Sequence, residues 1–204
     1  MIDNIHEQER QHLNELMAEA DLFSKHSIKH SGKVHPTLFM HGVHGKAMFA
    51  PDDMSNEQAK DAFAAMARLV CIAHGADATV FVSEAWTRFA KEGEKLDVTK
   101  LPSRCPDRQE VVVMMGQTRN TCQQRMLPME RSANGKFLGF GEARIVDADR
   151  LEGRFSNFMP EEYPNAQSRD VALEALAKLG VMVNKRENQR EERRERGRGL
   201  ERGL

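Results

Sequence analysis

A chain of 204 residues with 40% hydrophobic and 30% charged side chains can bury one core of ordinary size. Its net charge of −1 is unevenly placed: residues 184–204 carry eight Lys or Arg against five Glu, so a mildly acidic body precedes a basic tail, which argues against a body built to neutralise a phosphate backbone. The apolar runs are too short to span a bilayer, residues 1–10 lack the apolar stretch of a secretion signal, and Cys71, Cys105 and Cys122 fall at no disulfide-framework spacing, so a soluble cytoplasmic protein with reduced thiols is expected.

Residues 5–23 place Ile5, Leu13, Leu16, Met17, Ala20 and Phe23 near one stripe, which predicts an amphipathic helix packed on a sheet. After Ser31-Gly32, residues 34–40 and 47–50 read as two short strands, joined around Gly42 to Gly45 as a hairpin with glycines where a positive φ is needed. Ser55 with Gln58 forms a capping box for a second helix, on which Ala59, Ala62, Phe63, Met66, Val70 and Ala73 follow helical spacing until Gly75. Its alanines allow close approach to a sheet.

Residues 78–83 are a buried strand, with a short helix expected over 84–92 and a long surface connection as far as Arg108. Strands follow at 111–117, 123–131 and 137–146; Asn134-Gly135 signals a tight hairpin, and Pro128 marks an edge or bulged strand. A loop holding Pro160 and Pro164 leads to a last helix, capped by Ser168, whose stripe is Val171, Ala175, Leu176 and Leu179. The expected architecture over residues 1–183 is one α/β domain of the α+β kind: a single mixed, mainly antiparallel sheet of about six strands with three main helices. The order of elements is similar to roadblock or profilin-like scaffolds. Residues 184–204 form a charged, partly disordered tail.

If the strands at 78–83 and 111–117 are antiparallel neighbours, their polar flanks meet. Glu84, Trp86 and Arg88 then lie beside Arg104, Asp107, Arg108 and Glu110, and this is the expected binding surface. Glu84, Asp107 and Glu110 also define the rival reading, a metal-dependent, phosphodiesterase-like hydrolase, because three convergent carboxylates suit magnesium. The Pro-Asp motif of restriction-type nucleases requires a lysine that is missing after Pro106-Asp107. In the competing structural reading the carboxylates pair with Arg88, Arg104 and Arg108 and stiffen the loop.

The run Val82-Ser83-Glu84-Ala85-Trp86, followed by Pro102-Ser103-Arg104-Cys105-Pro106-Asp107-Arg108-Gln109-Glu110, resembles a pattern in a group of uncharacterised bacterial and mobile-element proteins. The resemblance covers about residues 75–118. It implies a shared fold and transfers no catalytic residue.

Other chemistry is thinly signalled. His26 and His30 could share a helix face, with His35, His41 and His44 following, but they define no ligand set, and Cys71 and His74 lie one helical turn apart without a partner pair. Cys105, between Arg104 and Pro106, is a thiol worth testing. No nucleophile elbow or phosphate loop is present, so the sequence assigns no catalytic residue, metal or cofactor. The expectation is a non-catalytic binding or regulatory protein with a protein partner. Weak nonspecific nucleic-acid contact through 184–204 and self-association through a sheet edge are further possibilities, without a membrane.

Overall fold

The computed structural model describes residues 2–90, 97, 99–148 and 153–181. Helix α1 (Ile2–Ser31) runs well past residue 23, because no helix breaker intervenes before Gly32, where φ is 74°. Leu13, Leu16, Met17, Ala20 and Ile28 are buried on one side of it. Strands β1 (Thr37–Gly42) and β2 (Gly45–Phe49) form the expected hairpin. Its two glycines serve different ends. Gly45 has a φ of 83°, whereas a Cβ on Gly42 would lie 2.6 Å from the backbone oxygen of His74.

Helix α2 (Glu57–His74) is capped one residue later than expected. The Asn56 side chain accepts from the Ala59 N–H at 2.8 Å, while Ser55 turns its own N–H and hydroxyl to Asp53. Gly75 ends the helix in the left-handed conformation, as its position predicts. Phe63, Ala64, Ala67, Val70 and Cys71 form the buried face.

Strand β3 (Ala76–Thr87) replaces the start of the helix expected over 84–92, since every residue from Thr79 to Thr87 has a partner on β4 (Gln109–Gln117), and residues 91 and 92 lie outside the described residues. Cross-strand pairing outweighs the weak helical pattern there. Strand β5 (Cys122–Arg131) follows, and the Asn134-Gly135 turn, with Gly135 at a φ of 80°, leads into β6 (Phe137–Phe140). The single strand expected over 137–146 is two, because the chain breaks after Phe140 and resumes as β7 (Arg144–Ala148).

Pro128 sits at the break, with its missing N–H on the outer side of β5. Its carbonyl accepts from the Gly141 N–H at 2.9 Å on the side of β5 away from β4. A strand residue's N–H and C=O point the same way, so the missing proline N–H costs the β4 ladder nothing. The outer partner of β5 changes at this point, from β7 beside 122–126 to β6 beside 129–131.

The sheet therefore has the order β2-β1-β3-β4-β5-β6, with β7 also on β5, and all these pairings are antiparallel. Helix α3 (Ala166–Lys178) is capped by Asn165, which accepts from the Ser168 N–H, so Ser168 is inside the first turn rather than the cap. Its apolar stripe is rotated from the expected one: Ala172 and Leu176 are buried, whereas Val171 and Leu179 are exposed. Helix α1 covers one face of the sheet with Val80, Val82, Val112 and Met114, and α2 and α3 cover the other around Phe81. This is an α+β fold of three layers. Among the described residues no helix is long and apolar enough to cross a membrane. The tail expected at 184–204 lies outside the described residues.

A polar network built on a buried ion pair ties the layers together. Glu9 on α1 accepts from Arg119 Nη1 at 2.9 Å and from the Tyr163 hydroxyl at 2.6 Å. Arg119, in the β4–β5 turn, also donates to the Ala76 carbonyl and lies 3.7 Å above the Tyr163 ring. Partial burial, with Glu9 adding to it, pushes the Tyr163 phenol up to about 12.

Candidate functional site

The antiparallel pairing of β3 with β4 sets Trp86 opposite Glu110 and Glu84 opposite Val112. Residues opposite one another share a face, so Glu84, Trp86 and Glu110 stand on the α1 side, with Glu84 and Glu110 as diagonal neighbours about 7–8 Å apart at the backbone. Arg88 continues from the end of β3, and Pro102–Arg104, a short 3-10 helix, brings Arg104, Asp107 and Arg108 back to the same end. All seven residues of the expected surface gather there. They occupy the ends of two central strands, however, and not a sheet edge; the exposed edges belong to β2 and to β6 and β7.

The three carboxylates are each engaged. Asp107 receives a bidentate guanidinium from Arg88, at 2.8 Å and 2.9 Å from Nε and 2.7 Å from Nη2. Glu110 is clasped by Arg131 from β5, at 2.5 Å and 3.0 Å, and this carboxylate raises the Arg131 pKa. Glu84 accepts the Val34 N–H at 2.6 Å and so pins the chain leaving α1. An ion held by all three would have to break these contacts. Arg131, the partner that matters most here, was not recognisable from sequence because it comes from a third strand.

Open to solvent are Trp86, at 44% exposure, Arg104, Arg108 and the Arg88-bound Asp107. The Arg108 guanidinium lies 4.6 Å from the centre of the indole and also donates to the Ser103 carbonyl. Neither Arg104 nor Arg108 forms an ion pair with a carboxylate among the described residues.

A second constellation, which the sequence reading missed, lies at the other end of the α1 face. Between His41 and Gly42 the β1–β3 register shifts: His41 pairs with Ala78 and Gly42 with Ala76, which leaves Asp77 as the extra residue of a β-bulge. The bulge turns Asp77 to the face that carries Ala78. There its carboxylate accepts from His41 Nδ1 at 3.0 Å and from His12 Nδ1, on α1, at 3.1 Å. The two imidazoles stack with centres 3.5 Å apart. Of the three residues only His41 stood in a histidine-rich stretch; His12 and Asp77 meet it through helix packing and the bulge.

Five of the remaining histidines and thiols have settings that the structure defines. His26 and His30 stack on the exposed end of α1, where His30 Nδ1 meets the His26 carbonyl. Burial pushes the Cys71 thiol up to about 12, and Cys105 is also buried, with its sulfur directed to the Leu101 carbonyl. His74 donates from Nε2 to the Gly45 carbonyl at 2.9 Å, joining α2 to the hairpin turn. Burial lowers its pKa below 6.5, with repulsion from His44 and His41 adding to the effect.

Because the depressed value belongs to the folded state, the stability from neutral His74 is present above pH 6.5 and is lost as the pH falls below it. We expect the melting temperature to drop less between pH 7 and pH 5 in His74→Gln, whose amide reaches the same carbonyl, than in the native chain. Equal drops would remove His74 from the acid response.

No protein-family model, curated protein or solved structure matches the chain. The functional reading therefore rests on the geometry of the two constellations.

Proposed function

We propose that this chain is a binding or regulatory protein that docks an acidic protein segment on the strand-end surface built from Trp86, Arg104 and Arg108. The observation that carries the reading is the exposed indole held under the Arg108 guanidinium, with Arg104 exposed on the same loop and neither arginine paired with a carboxylate among the described residues. Exposed tryptophan and arginine are the residues that anchor protein interfaces most often, and unpaired guanidinium groups favour carboxylates. Arg88–Asp107, Arg131–Glu110 and Glu84–Val34 hold the scaffold beneath in one arrangement, which lowers the ordering cost of binding. The free thiols of Cys71, Cys105 and Cys122 are compatible with a reducing, cytoplasmic setting.

The test uses fluorescein-labelled peptides rich in Asp and Glu around one aromatic residue, followed by anisotropy against the full chain. Binding should weaken with salt, and Trp86→Ala or Arg108→Ala should each cost about 2 kcal/mol, roughly thirty-fold in Kd. If no acidic peptide binds, or if both variants bind as the native chain does, this surface is not the docking site. Trp86 is the single tryptophan, so its emission gives an independent report from the same place.

A further inference from the structure

We infer that His12, His41 and Asp77 form a binding site for a borderline divalent metal ion of the zinc class. Two imidazoles and one carboxylate are a donor set that such ions favour, and here each donor comes from a different element: α1, β1 and the β3 bulge.

The distances fit. The three ligating atoms lie within 4.8 Å of one another, and the carboxylate oxygens are 3.0 Å, 3.1 Å and 3.2 Å from the two Nδ1 atoms. With metal–ligand bonds of about 2.0–2.2 Å, adjacent ligands of a tetrahedral or octahedral ion are about 3.0–3.5 Å apart. The protein thus already holds the two carboxylate–imidazole edges of such a polyhedron. Binding requires each neutral ring to carry its proton on Nε2, which frees Nδ1, and requires the stacked rings to open from their 3.5 Å contact by side-chain rotation.

Charge points the same way. Asp77 is only 22% exposed, yet among the described residues its ion-pair partners are the two histidines, and no Lys or Arg reaches it. Lys46 sits opposite His41 and is committed to Glu15 and Glu19 at 3.1 Å and 2.5 Å. A largely buried carboxylate that no Lys or Arg reaches among the described residues is a setting that suits a bound cation. The side chains of His12 and His41 remain 14% and 19% exposed, so an ion can enter from solvent and water can complete its coordination.

The experiment is calorimetric titration of the chelator-stripped full chain with zinc chloride, with Co2+ absorption as a spectroscopic probe. One equivalent should bind, and His12→Gln, His41→Gln and Asp77→Asn should each weaken it by at least ten-fold and abolish the Co2+ visible bands. The double variant His26→Gln, His30→Gln should bind as the native chain does. Circular dichroism of each metal-free variant establishes that the fold is kept, and His12→Gln, on the helix, serves if the bulge variant does not fold. The inference is overturned if the native chain binds no stoichiometric zinc, if Asp77→Asn and His41→Gln bind it undiminished, or if binding follows His26 and His30 instead.

Discussion

Replacing Glu9 by methionine should lower the unfolding free energy by about 3–5 kcal/mol, because it strands a buried guanidinium. The side chains of Arg119 and Glu9 are 7% and 4% exposed, and the carboxylate is the only anion that reaches Arg119 among the described residues. Its other neighbours, the Ala76 carbonyl and the Tyr163 ring, do not neutralise the charge. One oxygen of Glu9 and Nε of Arg119 find no partner among the described residues, so these leave the network incompletely satisfied. Removing both charges should therefore cost much less than removing one. Denaturant unfolding of Glu9→Met, Arg119→Met and the double variant measures this difference. A single variant that loses under about 1 kcal/mol would mean that water reaches the pair freely.

The second large effect belongs to Phe81. It is fully buried at the centre of β3, and its ring lies 5.6 Å from Phe63, 4.9 Å from Phe155 and 5.7 Å from Phe158. Truncation to alanine opens a cavity among three aromatic rings and should cost about 3–5 kcal/mol. Phe155 and Phe158 lie on the irregular chain before α3, held to the sheet by this cluster and by the Asn157 N–H to Gln117 side-chain bond. Phe81→Ala should therefore also expose the segment around residues 153–160 to limited proteolysis before the helices yield, whereas Phe81→Leu should largely protect it. Unchanged cleavage in the alanine variant would show that the segment is held by other means.

The elements that could be read from sequence are those whose signals are local. The alanine-lined face of α2 and its stop at Gly75, the Asn134-Gly135 hairpin and the apolar cores of β3 and β4 depend on neighbours a few residues away. The errors fall where distant chain decides the outcome. Residues 84–87 are strand because β4 extends to meet them, and α1 exposes no signal that would end it at Phe23. The division into β6 and β7 falls beside Pro128, whose missing donor faces outward, and spacing does not reveal that orientation.

The candidate sites show the same limit. Adjacency of the two hydrophobic strands was enough to collect Glu84, Trp86 and Glu110 on one face, yet the partner of Glu110 is on β5 and that of Glu84 is the backbone of Val34. The trio of His12, His41 and Asp77 was illegible for a sharper reason. Strict alternation would place residues 76 and 78 together and residue 77 on the opposite face, and the bulge breaks that parity.

The inserted residue also acts as a spacer. It lengthens the chain between the sheet ladder and the last turn of α2 by one position, and this sets the phase in which His74 and Gly75 arrive beneath Gly42, where only a hydrogen fits in place of a side chain. Excising position 77 would thus do more than delete a carboxylate. It would draw the helix terminus along the strand by about 3.3 Å, and the tight seam between hairpin and helix would lose its match.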